Sequence, residues 1–229
     1  MNKRIIVAID ISNLNKAIRI VNKLKNEVFA FKIGYEFFYK FGIEGYKKIY
    51  KICPKIFLDL KLHDIPNTVE SGIKAISSLK PIFTTIHISG GDKMQTATKI
   101  YKNKTTKILG VTILTSLNNE QTLKYFKEKS VKNLVKKYAK YAKENKLYGL
   151  VCSPLEIEIV RKEIGKKMKL VVPGIRLKGT KLKKNDDQER NLTPKEAINL
   201  GADYLVIGRP IVESQNPLAT IKKINQSIQ

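Results

Sequence analysis

The densest chemistry in the sequence is the run Asp59-Leu-Lys61-Leu-His63-Asp64. In an extended strand, residues two apart project to the same face, so Asp59 and Lys61 point together. Phe57, Asp59 and Lys61 alternate against Ile56, Leu58 and Leu60, which puts charge at one end of one strand face. Charges withdrawn from water need partners, and Lys32, on an adjoining strand, extends the pair into an alternating Lys/Asp array. An ammonium set among carboxylates suits a general acid better than a Schiff-base nucleophile. A structural salt bridge would use the same spacing, so the pair alone does not separate catalysis from support.

A second group suits phosphate. Pro173-Gly174-Ile175-Arg176 and Gly208-Arg209-Pro210 each join a glycine, over which an anion can approach the backbone, to a guanidinium with paired donors. Between them runs a polar segment, Arg176 to Arg190, with Lys178-Gly-Thr-Lys181 and Asp187-Gln188-Glu-Arg190. A polar loop of this length in a small domain reads as a lid over 176–190, closing on a phosphate ester. A merely solvated Lys-rich loop is the competing reading.

The elements that must position these residues repeat along the chain. Short β-branched runs fall at 4–9, 28–33, 55–60, 82–88, 107–114, 148–151, 169–172 and 203–207. Helical periodicity follows at 13–24, up to Tyr50, at 67–79, from Asp92, at 119–144, 154–163 and 193–200, and from Pro210 onward. Thr193 and Pro194 read as a cap and first helical residue. Eight strand-then-helix units predict a (β/α)8 TIM barrel forming a single domain over 1–229, with an open doubly wound sheet as the alternative. In such barrels chemistry sits at the C-terminal strand ends. Asp10, Lys32, Asp59, Lys61, His87, Thr115, Ser116, Ser153, Arg176, Gly208 and Arg209 all fall at or just after those ends.

Composition narrows the classes further. The 229 residues carry 44 Lys+Arg against 20 Asp+Glu, a net charge of +24, which raises a polyanion partner such as nucleic acid. All but six of the basic residues are Lys, spread over the whole length, whereas base readout leans on Arg. A solvated Lys-rich surface is favoured, with no specific nucleic-acid partner. Apolar runs are too short for a membrane span or a signal peptide. Cys53 and Cys152 form no disulfide framework and read as buried thiols. A soluble protein of a reducing cytoplasm is expected. His63 and His87 lack a third ligand, so no metal is expected, and they read as structural groups of the signature loop and barrel interior.

Taken together, these residues resemble the orotidine 5′-phosphate decarboxylase family over essentially the whole chain. The resemblance rests on Phe57-Leu-Asp59-Leu-Lys61-Leu-His63-Asp64-Ile65-Pro66-Asn67-Thr68. Ala8-Ile-Asp10, Phe31-Lys32-Ile-Gly34, Val111-Thr-Ile-Leu-Thr115-Ser116 and the two Gly/Arg loops support it, as does Asp187-Gln188-Glu-Arg190. It implies cofactor-free decarboxylation, with Lys61 protonating C6 of the pyrimidine and Asp59 holding Lys61 beside the departing carboxylate. It implies a homodimer in which Asp64 reaches the partner's site, with Ile65 and Thr68 contributing to substrate binding from the same segment. Asp10 and Lys32 would meet the ribose hydroxyls, and Ser116 and Thr115 the pyrimidine edge. Gln188 and Arg209 would hold the phosphate, with Arg176 and the Gly208 backbone supporting the closed lid. A related sugar-phosphate branch shares the Asp-x-Lys-x-x-Asp pattern but works with Mg²⁺ and carries an acidic residue where Lys32 stands.

Overall fold

The computed structural model describes residues 3–98, 105–176 and 192–229. The predicted 176–190 lid therefore lies outside the described residues beyond Arg176. Eight parallel strands close into a barrel, each pairing with the next in the chain and β1 with β8. They are β1 (Ile5–Ala8), β2 (Ala30–Ile33), β3 (Ile56–Leu62), β4 (Phe83–His87), β5 (Lys107–Val111), β6 (Gly149–Val151), β7 (Lys169–Val172) and β8 (Tyr204–Ile207). The TIM-barrel expectation holds, and the open sheet is excluded by the β1–β8 ladder. The helices are α1 (Leu14–Leu24), α2 (Tyr35–Ile52), α3 (Pro66–Ser78), α4 (Gly91–Ala97), α5 (Asn119–Phe126), α6 (Val131–Glu144), α7 (Ile157–Ile164), α8 (Pro194–Asn199), α9 (Arg209–Val212) and α10 (Pro217–Ser227).

Strand alternation sorts the apolar residues into two cores. Ile5, Val7, Ile56, Leu58, Leu170, Val172, Leu205 and Ile207 face outward and pack with the helices. The opposite set, including Ile6, Phe57, Leu109, Val171 and Val206, fills the barrel interior. At the N-terminal end the interior is stoppered by rings. Phe29 stacks on Tyr204 at 4.2 Å between centroids, and Phe83 lies within 6.0 Å of Phe29, Phe57, Tyr148 and Tyr204. Asp10, Lys32, Asp59 and Lys61 lie at the other end.

Two helical predictions need correction. The stretch 119–144 is two helices, because Lys127 takes a left-handed conformation at φ 55° and ends α5. The Val131 amide then donates to Asn119 Oδ1 at 2.9 Å, tying the start of α6 back to α5. The break is made by backbone geometry at a lysine, a residue type that also fills α6, so the residue type does not mark it. Likewise the segment from Pro210 is two helices, α9 and α10, the second capped by the Asn216 side chain with Pro217 at its first turn. β5 stops at Val111 rather than reaching 114, so Thr115 and Ser116 sit on the following loop, not on the strand. β3, by contrast, runs on through Leu62.

Candidate active site

Three strand ends build a charged row at the C-terminal mouth. Interior-facing alternation places Lys32 above Ala30 on β2 and Asp59 above Phe57 on β3. Lys32 Nζ donates to both oxygens of Asp10, just past β1, at 3.1 and 3.2 Å. The same ammonium lies 4.0 Å from Asp59 Oδ2, and Lys61 Nζ donates to that oxygen at 2.9 Å. The order is therefore Asp10, Lys32, Asp59, Lys61, with charge alternating at every step. The Asp59 and Lys32 side chains are 11% and 12% exposed, whereas the Lys61 side chain keeps 28% of its surface open to the mouth. Each charge has its compensating neighbour, which is what burial of the set requires.

Gly34 backs this row. A Cβ there would come within 2.8 Å of Lys32 Nζ and 2.9 Å of Asp10 Oδ1, so any side chain would push the pair apart. Tyr35, which follows it at the start of α2, donates its hydroxyl to the Leu60 carbonyl at 3.1 Å, and its ring lies 6.0 Å from Lys61 Nζ. Burial, with Tyr39 and Asp59 adding, raises its phenol above the ordinary value. Thr85 on β4, fully buried, donates to Asp59 Oδ1 at 2.9 Å and accepts from the Lys61 amide at the same distance. Tyr35 and Thr85 were not singled out by sequence reasoning. The available signal for Thr85 was its place two residues before His87 on an inward strand face.

The remaining predicted residues surround the row without joining it in this chain. Asp64 is exposed, and among the described residues its carboxylate accepts only from the next amide, Ile65, at 2.6 Å. Ile65 is 67% exposed, and Thr68 is exposed in the first turn of α3. Thr115 and Ser116 are exposed on the loop after β5. The Arg176 amide donates to the Leu192 carbonyl at 3.2 Å, fixing where the chain leaves the barrel after β7. Gly208 precedes α9, where a Cβ would meet that of Ala8 at 3.3 Å, and Arg209 is exposed at the start of that helix. Gln188 lies outside the described residues. Among the described residues, no three His, Cys, Asp or Glu side chains are grouped as metal ligands. Cys53 and Cys152 are buried and unpaired with each other.

The two histidines are neighbours at the mouth, ring centroids 5.4 Å apart, with His63 Nε2 3.5 Å from Ser89 Oγ. Burial first, then His63 and Lys61, push the His87 imidazole down to about 4. In the unfolded chain the ring takes its proton near ~6.5. Between these values the unfolded state binds more protons, so stability falls as pH drops through that window. We expect the urea midpoint to be lower at pH 4.5 than at pH 7, with the difference reduced in His87→Gln. An unchanged difference would remove His87 as a contributor.

A closed parallel barrel with its charged row and Gly/Arg loops at the C-terminal mouth defines the class of (β/α)8 enzymes that act on phosphorylated substrates. Comparison with known proteins makes this specific. The sequence model of the Orotidine 5′-phosphate decarboxylase / HUMPS family matches residues 3–224, and the chain belongs to that family. It is 47% identical over 225 residues to an orotidine 5′-phosphate decarboxylase of Wolbachia pipientis, covering 98% of each sequence. It is 40% identical to the corresponding protein of Carboxydothermus hydrogenoformans, covering 100% of this chain and 97% of that one. Among solved structures, orotidine 5′-phosphate decarboxylase from Lactobacillus acidophilus superposes with a TM-score of 0.84 at 36% identity, covering 99% of both chains.

Proposed function

We propose that this protein decarboxylates orotidine 5′-phosphate to UMP and CO2 in de novo pyrimidine biosynthesis, without a cofactor. The observation that carries this reading is the Lys32–Asp59–Lys61 row, with a partly open ammonium 2.9 Å from a nearly buried carboxylate. The C6–carboxylate bond breaks and its electron pair stays on C6. Lys61 stabilises that charge and delivers its proton to C6, and the lysine regains a proton from water. Asp59 fixes Lys61 before the reaction begins, so the stabilising field needs no rearrangement as charge develops. Lys32 and Asp10, already paired, meet the ribose hydroxyls, and Thr115 and Ser116 meet the pyrimidine edge from the β5 loop.

Arg209 and Gln188 hold the phosphate, while Arg176 and the Gly208 backbone support a lid formed by 176–190. Contacts so far from C6 supply binding energy that can drive closure and distortion at the reacting carbon. The working unit is a homodimer. In support, Asp64 is exposed, and among the described residues its carboxylate meets the Ile65 amide rather than a cation. It is thus available to a second subunit, with Ile65 and Thr68 beside it. No helix among the described residues is long and apolar enough to cross a membrane. The cytoplasm, where soluble nucleotide intermediates are found, is the compartment we assign.

Lys32 also favours this reaction over the Mg²⁺-dependent sugar-phosphate branch, since that branch carries an acidic residue where this ammonium stands. The test is the fall in absorbance of orotidine 5′-phosphate with and without EDTA. Equal rates are expected. Activity abolished by EDTA and restored by Mg²⁺ would overturn the assignment. So would an absence of UMP formation accompanied by tight, salt-sensitive binding to single or double strands.

A further inference from the structure

The charged row depends on an irregularity in the sheet. Leu58 of β3 pairs with Thr84 of β4, and Leu62 pairs with Ile86, so Asp59, Leu60 and Lys61 together stand against Thr85 alone. The extra residues interrupt the β3–β4 ladder, and Lys61 takes φ 42°, a left-handed conformation that side-chain-bearing residues seldom adopt. A bulge of this kind leaves backbone groups without their usual strand partner. Here the Lys61 amide donates to Thr85 Oγ1 at 2.9 Å, and the Thr85 hydroxyl passes its own hydrogen to Asp59 Oδ1 at 2.9 Å. Asp59 Oδ2 is thereby left facing Lys61 Nζ.

We infer that Thr85 is a positioning residue for the decarboxylation, its hydroxyl clamping the bulged Lys61 backbone and the Asp59 carboxylate in one geometry. The inference rests on the decarboxylase reading above. Thr85 touches no reacting atom in this account; it acts through Asp59 and Lys61. One hydroxyl fixes both ends of the Asp59–Lys61 pair, so its loss frees the carboxylate to rotate and the backbone to leave its strained region. A supporting group held only loosely misplaces the proton donor, and small misplacements are costly to turnover. Thr84, one residue earlier, supplies an internal control. Its hydroxyl is buried with no hydrogen-bond partner among the described residues, so it performs no such task.

The test compares Thr85→Val, which keeps the shape and removes the hydroxyl, with Thr85→Ser, which keeps the hydroxyl. We expect kcat of Thr85→Val to fall about 10- to 100-fold while KM for orotidine 5′-phosphate moves less than about 3-fold. Thr85→Ser should recover most of kcat, and Thr84→Val should match the unsubstituted protein. Exchange of the Lys61 amide hydrogen should speed up in Thr85→Val and stay slow in Thr85→Ser. Full activity of Thr85→Val, or equal impairment of the Val and Ser variants, would overturn the clamp. Should Thr85→Val fail to fold, Thr85→Ala replaces it, and Ser and Ala variants of equal kcat have the same consequence. A protein that never converts orotidine 5′-phosphate removes the decarboxylase reading instead, and amide exchange still decides the clamp.

Discussion

Lys61→Ala is expected to lose at least about 10⁴-fold in kcat, combining the loss of a general acid with that of a preorganised charge. The size follows from what remains. Among the described residues, Lys32 is the nearest other cation to Asp59 at 4.0 Å, and it is already committed to both oxygens of Asp10. Nothing else described at the mouth offers an ammonium beside the buried carboxylate. The substitution also leaves Asp59 without its 2.9 Å partner, so an uncompensated charge adds to the loss. Far-UV circular dichroism and UMP binding serve as controls, because neither requires a proton at C6. Turnover within about 10-fold of the unsubstituted protein would mean that the acid is another residue.

The second large effect concerns Asp64. Its exposure and its bond to the neighbouring amide leave it outside the row within one chain, which makes a second subunit the natural destination. Asp64→Ala alone should be nearly inactive if each site needs the partner's carboxylate. Mixed with inactive Lys61→Ala, it should recover activity, because one site of each mixed dimer holds an intact Lys61 and an intact Asp64. Random exchange of equal amounts predicts about a quarter of the unsubstituted activity, since half the dimers are mixed and each restores one of two sites. No recovery, with subunit exchange verified by differently tagged chains, would sink the shared site.

The architecture was legible because strand and helix periods alternate strongly, and because charged residues recur at strand ends where a closed barrel has its mouth. The row itself was partly legible. Asp59 and Lys61 follow from period two, but their neighbourhood depends on a bulge that β-branched patterning does not encode. Thr85 looks like any inward strand threonine until the register slips beside it. Tyr35 looks like the start of an amphipathic helix until its hydroxyl is found on the Leu60 carbonyl. The break at Lys127 was hidden for a related reason: a left-handed lysine carries no signal comparable to glycine. The proposed role of Asp64 could not come from periodicity within one chain, because the groups proposed to meet it belong to another copy.

The ring stopper at the barrel's N-terminal end sets the traffic of the reaction. With Phe29, Phe83 and Tyr204 packed across that end, the described residues leave the opposite end as the doorway for small molecules. Substrate arriving through it stands between the site and solvent, and CO2 formed at C6 must depart past the nucleotide that released it. High UMP therefore occupies the doorway that new substrate needs, making product a competitor by geometry alone.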